Sequence, residues 1–340
     1  YLNVDYQLKT AEPLLEKGLS MAHQQFELPH HYTPSTLTNA EGIKYKLQRT
    51  PSQIVLQGGN VRVAFDAQTG WMTQYVVDGT NFIGEQGALK PNFWRAVTDN
   101  DMGFGAPQKM AAWHHPELKL ESITPGIVKG KDTKEGAIVM ASYDMPAVKA
   151  KLSLTYRLQK DGTIVVNMAM KTDPTAKVSD MLRFGMVLQM PYEMGNIQYF
   201  GRGPIENYSD RKQSERIGIY SQTADNQFFP YIRPQETGSK QDVQWWEQTN
   251  AGGVGLRFVP LTTSFGMSAL HYAIDDLDEG LEKHQRHSYQ VKKSPYTNVC
   301  IDYRQAGVGG TNSWGLLPLE PYRIHYGDME YGFSMSPIHK

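Results

Sequence analysis

Ala150-Lys151-Leu152-Ser153-Leu154-Thr155-Tyr156-Arg157-Leu158, then Lys160-Asp161-Gly162, then Thr163-Ile164-Val165-Val166-Asn167-Met168-Ala169-Met170 is the stretch that decides the fold. Both long runs alternate apolar and polar residues with period two, the pattern of a strand with one buried face. Between them, Asp-Gly supplies the positive φ that a tight hairpin turn demands. The two runs are therefore predicted to pair as antiparallel neighbours.

Working outward, the same alternation recurs at Gln53–Leu56, Val61–Phe65, Trp71–Val77, Ala137–Tyr143, Arg183–Met190, Gly253–Val259 and Phe265–Tyr272, punctuated by Gly, Pro, Asn and Asp. That is too many strands for one small barrel. The predicted fold class is all-β: a large sandwich of two antiparallel sheets with long loops gathered at one end. Helix is scarce, with Lys109–His114 the best candidate for a short turn. Residues 1–30 read as a separate piece with strands at Leu2–Leu8 and Ala22–Leu28, 31–49 as a linker, and 50–340 as the main domain. Two strands cannot bury a core alone, so the first piece is either the end of a preceding sandwich or a docking segment. Tyr1 stands where a methionine would open a gene product, and alternation begins at once. Both features suggest a chain that starts inside a longer protein.

With 340 residues, 40% of them hydrophobic, the chain can bury a sizeable core. Thirty-four Lys and Arg face 35 Asp and Glu, so a net charge of −1 offers no field to attract nucleic acid or an anionic membrane. The apolar runs, such as Ile164-Val165-Val166, fall far short of the roughly 20 residues of a membrane-spanning helix. Cys300 is the only cysteine, which excludes an internal disulfide and any multi-cysteine metal site. No basic residue or histidine lies beside it, so it reads as a buried apolar filler.

Polar and aromatic residues concentrate in four turn-rich segments: Phe93–Gly103, Gly201–Arg211, Phe229–Gly238 and Gly307–Trp314. A sugar site needs flat aromatic faces for the C–H side of a pyranose and carboxylates, amides and Arg for its hydroxyls. The candidates are Arg95, Asp99, Asn100, Asp101, Glu206, Asn207, Arg211 and Glu236, although capping turns and pairing with one another is the commoner use of such residues in loops. Trp314 differs: its indole sits on Gly309-Gly310-Thr311-Asn312-Ser313, with little local apolar company, which leaves ligand contact and ordinary burial equally open. His284 and His287 lack a convincing third metal ligand. His114 and His115, read as adjacent on an extended segment, should point to opposite faces. No metal site is expected, and no P-loop, dinucleotide fingerprint, Gly-x-Ser-x-Gly elbow or His-Glu-x-x-His pair occurs. Glycoside hydrolysis carries no short signature, so spacing alone does not exclude it.

Taken together, the four segments resemble the C-terminal domain of the large β-galactosidases of glycoside hydrolase family 2. The family's Arg-Ala-x-x-Asp-Asn-Asp-x-Gly run stands at Arg95–Gly103 and its Gly-x-Gly-Pro-x-Glu-Asn-Tyr-x-Asp-Arg run at Gly201–Arg211. Its Pro-Tyr-x-x-Pro-x-Glu-x-Gly run stands at Pro230–Gly238 and its Gly-Gly-x-x-Ser-Trp run at Gly309–Trp314. The order and spacing match over about residues 50–340, and residues 1–30 are similar to the last strands of the immunoglobulin-like sandwich that precedes that domain. The resemblance implies a galactose-mutarotase-like super-sandwich. It implies a retaining enzyme acting on β-galactosides, whose nucleophile, general acid/base and magnesium and sodium sites lie on a central TIM barrel and neighbouring domains absent from this chain. It also implies a homo-oligomer at full length, with no catalytic residue here, and Trp314 as the residue that reaches the site mouth and stacks on the sugar. Two other readings are weighed: a stand-alone galactose-binding or aldose 1-epimerase-like protein, which needs an acid and a base across a cleft, and a purely architectural module.

Overall fold

The computed structural model describes residues 1–29, 42–129, 135–261, 264–278, 280–281, 286–312 and 314–338, in two compact units that divide after Glu41. In the small unit Leu2–Gln7 pairs antiparallel with Ser20–Phe26, with Leu2 opposite Phe26 and Tyr6 opposite Ala22. Alternation places Leu2, Val4 and Tyr6 on one face, and all three are exposed together with Phe26. A lone hairpin has no second layer to cover such a face.

Among the described residues, the large unit is built on a nine-stranded and a ten-stranded antiparallel sheet. The first runs, edge to edge, through Arg216–Thr223, Asn196–Gly203, Trp245–Thr249, Gly255–Pro260, Met329–Ile338, Ile164–Thr172, Ala150–Gln159, Glu135–Met145 and Lys119–Ile127. The second runs through Lys240–Val243, Phe265–Leu270, Tyr296–Gln305, Arg183–Pro191, Leu89–Asn92, Met72–Val77, Val61–Asp66, Gln53–Gly58 and Lys46–Arg49, with Thr80–Asn81 beside Met72–Val77. The Asp161-Gly162 hairpin forms as its pattern requires: Leu158 lies opposite Ile164, Tyr156 opposite Val166 and Leu154 opposite Met168, all six fully buried. Gly162 takes the positive φ, at 89°.

The inner faces of the two sheets meet in one large core. Phe65 of the ten-stranded sheet packs edge-on against Tyr156 of the nine-stranded sheet at 4.9 Å, and Phe184 meets Tyr331 at 5.9 Å. Some of the buried tyrosines tie the two sheets together through their hydroxyls, while those of Tyr143, Tyr156 and Tyr199 make no hydrogen bond among the described residues. Tyr331 donates across the sandwich to the Ile301 carbonyl at 2.9 Å and Tyr75 to that of Gly162 at 2.8 Å. The strands Arg183–Pro191 and Phe265–Leu270 are buried on both faces, because loops cover the outer side of this part of the ten-stranded sheet. A second small core of Ala96, Leu270, Leu277 and Val291 lies under those loops.

The structure departs from the sequence reading in several places. Lys46–Arg49, read as linker, is an edge strand on Gln53–Gly58, and the Ile43 amide already donates to the Lys160 carbonyl at 2.8 Å. Four exposed residues at a sheet edge carry no burial pattern that periodicity could detect. Helix is present not only at Ala111–His114 but also at Ala106–Lys109, Ala224–Gln227 and Ile274–Leu277, and at Asp99–Gly103, inside a segment read as loop. His114 and His115 do not point to opposite faces, because His114 closes a helix and the chain is not extended there. Their rings stack at 4.1 Å, with His114 also lying over Trp94. Of the other histidine pair, His284 lies outside the described residues, while His287 contacts the Ile232 carbonyl through Nδ1 at 3.3 Å. Cys300 is buried in its strand, and burial pushes its thiol up to about 12, which keeps it protonated at neutral pH.

Candidate functional site

The four segments do converge, and among the described residues side chains from two of them, Phe93–Gly103 and Gly201–Arg211, hold the backbone of Gly307–Trp314. At the base lies Arg95, fully buried, whose Nε and terminal nitrogen grip both carboxylate oxygens of Asp101 at 3.0 and 2.8 Å. Thr98 caps the helix Asp99–Gly103 by accepting from the Asp101 amide, while Asp101 accepts in return from the Thr98 amide. This capping box orients the carboxylate toward Arg95. Burial alone would lower the guanidinium pKa, but Asp101 more than offsets it and the group is held above its ordinary value. The remaining Arg95 donors reach the carbonyls of Ala306 at 2.6 Å and Gly307 at 2.9 Å.

Those two carbonyls begin the glycine loop. Asn100 donates to the Val308 carbonyl at 2.9 Å, and the amides of Val308 and Gly309 both donate to the Asp210 carboxylate, each at 2.9 Å. The Gly307 amide meets the Tyr322 carbonyl at 2.8 Å, which closes the excursion at its foot. Gly309, Gly310 and Gly315 have φ of 71°, 88° and 81°, conformations that cost other residues roughly 1–2 kcal/mol each. At the tip, the Asn312 carboxamide accepts from the Trp314 and Leu316 amides at 2.9 and 3.3 Å. Trp314 is 91% exposed. The choice left open by its sequence surroundings thus falls on the exposed side.

The other polar candidates are turned inward. Glu206 accepts from Arg211 at 2.9 Å, from the hydroxyls of Tyr231, Thr237 (3.1 Å) and Tyr208 (3.3 Å), and from the Gly238 amide at 2.7 Å. Its side chain is only 8% exposed. Asn207 is fully buried and bridges the Arg202 and Ile205 carbonyls to the Gln241 amide, all at 2.9 Å. Glu236 accepts from Arg183 at 2.6 Å and Gln305 at 2.8 Å under the loops. Only Asp99, Asn100 and Arg211 keep substantial exposure: Asp99 pairs with Arg233 at 3.1 Å, and Arg211 lies over the Tyr208 ring at 5.1 Å.

Three features escaped the sequence reading. Asp210 stands within a quoted motif but was not singled out, since its partners lie 98 and 99 residues downstream. Arg183 forms a buried ion pair with Asp302 at 3.2 Å as well as with Glu236, and burial pushes Asp302 up to about 7. Lys240 is buried, with its ammonium against the Gly238 carbonyl at 3.1 Å, and burial pulls it down to about 8. A lysine in a short polar strand carries no sequence signal of burial. Among the described residues no group of three or more His, Cys, Asp or Glu is arranged to hold a metal ion.

The chain is 28% identical over 327 residues to a β-galactosidase of Priestia megaterium, covering 94% of this chain and 30% of that protein. It is 29% identical over 309 residues to a β-galactosidase of Lactobacillus delbrueckii subsp. bulgaricus, covering 86% and 29% respectively. It thus spans about 30% of the length of these relatives. Among solved structures, a galactose 1-epimerase from Lactobacillus acidophilus NCFM overlaps it with a TM-score of 0.45 at 10% identity, over 87% of this chain and 99% of that one. The model of the family described as the β-galactosidase small chain matches residues 57–335, nearly the whole of the two-sheet unit. The chain belongs to the β-galactosidase small-chain family.

Proposed function

We propose that this chain is the site-completing, non-catalytic portion of a retaining β-galactosidase of glycoside hydrolase family 2, and that Trp314 forms a wall against which the galactoside stacks. One observation carries the reading: a large indole stands almost wholly in solvent on a loop whose base is fastened by buried groups. An exposed tryptophan with no packing role, held out on an organised support, is suited to a ligand with an apolar face. The two carboxylates that cleave the bond, and the magnesium and sodium ions of the family, would belong to polypeptide outside this chain. Residues 1–30 would be the end of the sandwich domain before it.

The geometry gives less support to an aldose epimerase. Such an enzyme needs a free acid and base facing a cleft, whereas Glu206 and Glu236 are buried and bonded within the protein. Accelerated mutarotation of galactose by the isolated chain would reverse that judgement.

In the full-length enzyme, Trp314→Ala should weaken galactoside binding by on the order of 1 kcal/mol, about fivefold, the worth of one stacked ring. Steady-state kinetics with an aryl galactoside and with an added sugar acceptor measure it. Unchanged KM and unchanged transfer to acceptors would remove Trp314 from the site.

A further inference from the structure

We infer that Asp210 is a positioning residue for the Trp314 loop: its carboxylate, spanning two consecutive backbone amides, sets where the indole stands. The inference rests on the reading of Trp314 as the sugar wall and extends it to a residue that touches no sugar.

The argument starts from how loose the loop would otherwise be. Gly309 and Gly310 both take positive φ, and glycine loses more conformational freedom on ordering than any other residue. Something must hold them. Arg95 and Asn100 take up carbonyls, those of Ala306, Gly307 and Val308. Among the described side chains that reach the loop from other segments, Asp210 alone takes up amides, with Oδ1 on Val308 and Oδ2 on Gly309 at 2.9 Å each. Successive amides converging on a carboxylate make a charge-assisted pair stronger than neutral hydrogen bonds. Asp210 is itself held in a tight turn, since Tyr208 and Arg211 exchange backbone hydrogen bonds at 3.0 and 2.9 Å.

The neighbouring glycine shows how closely the carboxylate is seated. A Cβ on Gly307 would lie 2.4 Å from Asp210 Oδ2 and 2.6 Å from its Cγ. The space a side chain would use at 307 is filled by the clamp. Beyond Gly310 the support thins to Asn312, whose contacts are within the loop itself, and to Gly315, which rests on the backbone of Gly103. Asp210 is therefore the last anchor before the tip that comes from another segment and carries a charge. Unlike Arg95, it is only half-buried, so its removal frees the loop without emptying the core.

A double-mutant cycle in the full-length enzyme tests this, using Asp210→Ala, Trp314→Ala and the double variant, with Asp210→Asn as the conservative variant. In Asp210→Ala we expect KM for an aryl galactoside to rise roughly fivefold with kcat within about twofold, the pattern of lost binding and not lost chemistry. Asp210→Asn, which keeps one acceptor, should recover part of the loss. In the Trp314→Ala background, Asp210→Ala should add nothing, since residues acting through one group are not additive. Hydrogen exchange at the Val308 and Gly309 amides should quicken in Asp210→Ala. Equal KM penalties in both backgrounds, or wild-type exchange at those amides, would overturn the inference. Should Trp314→Ala alone leave KM unchanged, the sugar-wall reading fails and the positioning role falls with it. Quickened exchange would then show only a structural clamp.

Discussion

Two regions built from similar residues meet opposite fates. The Gly201–Arg211 and Phe229–Gly238 segments bring Glu206, Asn207, Tyr208, Tyr231 and Thr237 together, and nearly every polar atom is spent on a partner inside the protein. The Gly307–Trp314 segment spends its backbone on partners and leaves its one large side chain in solvent. Polar loop residues thus supply the stiffness, and in the function proposed above the ligand surface falls to the residue that the stiffened loop displays. Preorganisation of this kind lowers the cost of ordering a contact when the ligand arrives.

The sharpest way to break the comparison is to remove a buried support. Arg95→Ala leaves the Asp101 carboxylate buried without its guanidinium and strands the carbonyls of Ala306 and Gly307, so it should cost about 3–5 kcal/mol in urea unfolding. Arg211, with its side chain 53% exposed in its pair with Glu206, should cost no more than about 1 kcal/mol when replaced by Ala. Equal losses at the two positions would mean that burial does not separate support from surface.

Lys240 tests the same region from the electrostatic side. Its ammonium sits against the Gly238 carbonyl, and burial holds its pKa at about 8 against an ordinary 10.5. Below pH 8 both folded and unfolded chains carry the proton, and the folded state bears the full cost of burying the charge. Between pH 8 and 10.5 the folded chain sheds the proton while the unfolded chain keeps it. The unfolded state then binds more protons, and stability rises with pH. Lys240→Met removes this titration. Its stability relative to the parent should therefore be highest below pH 8 and should fall by on the order of 3 kcal/mol by pH 10.5. A difference that stays flat across that window would show the amine to be solvated.

How much of this could be seen in the sequence depends on the range of the contacts. The sandwich was legible because Leu152, Leu154, Tyr156 and Leu158 alternate locally and all four are buried. Trp314 stood out because a glycine-rich strip offers an indole nothing to pack against. The helix Asp99–Gly103 had a readable signal, since Thr98-x-x-Asp101 is the spacing of a capping box. The clamp had none: Arg95 meets carbonyls 211 and 212 residues away and Asp210 meets amides 98 and 99 residues away. Periodicity ranks residues by face, and it is silent on which loop lies beside which.

A substitution at Gly315 sharpens the comparison most, because it alters the display without touching either polar cluster. Gly315 follows Trp314, has φ of 81°, and a Cβ there would meet the Gly103 carbonyl oxygen at 2.4 Å. That oxygen and the Gly103 carbonyl carbon, at 2.9 Å, both belong to backbone, so relief requires the loop tip to lift from the helix Asp99–Gly103. Gly315→Ala should cost roughly 1–2 kcal/mol of stability from the strained φ, with the lifting of the tip in addition. If the indole acts by its position, the same substitution in the full-length enzyme should raise KM for a galactoside as Trp314→Ala does, although the ring is still present. Full binding with a displaced loop would mean that the tryptophan reaches its ligand by flexibility and that the fastening beneath it serves the fold alone.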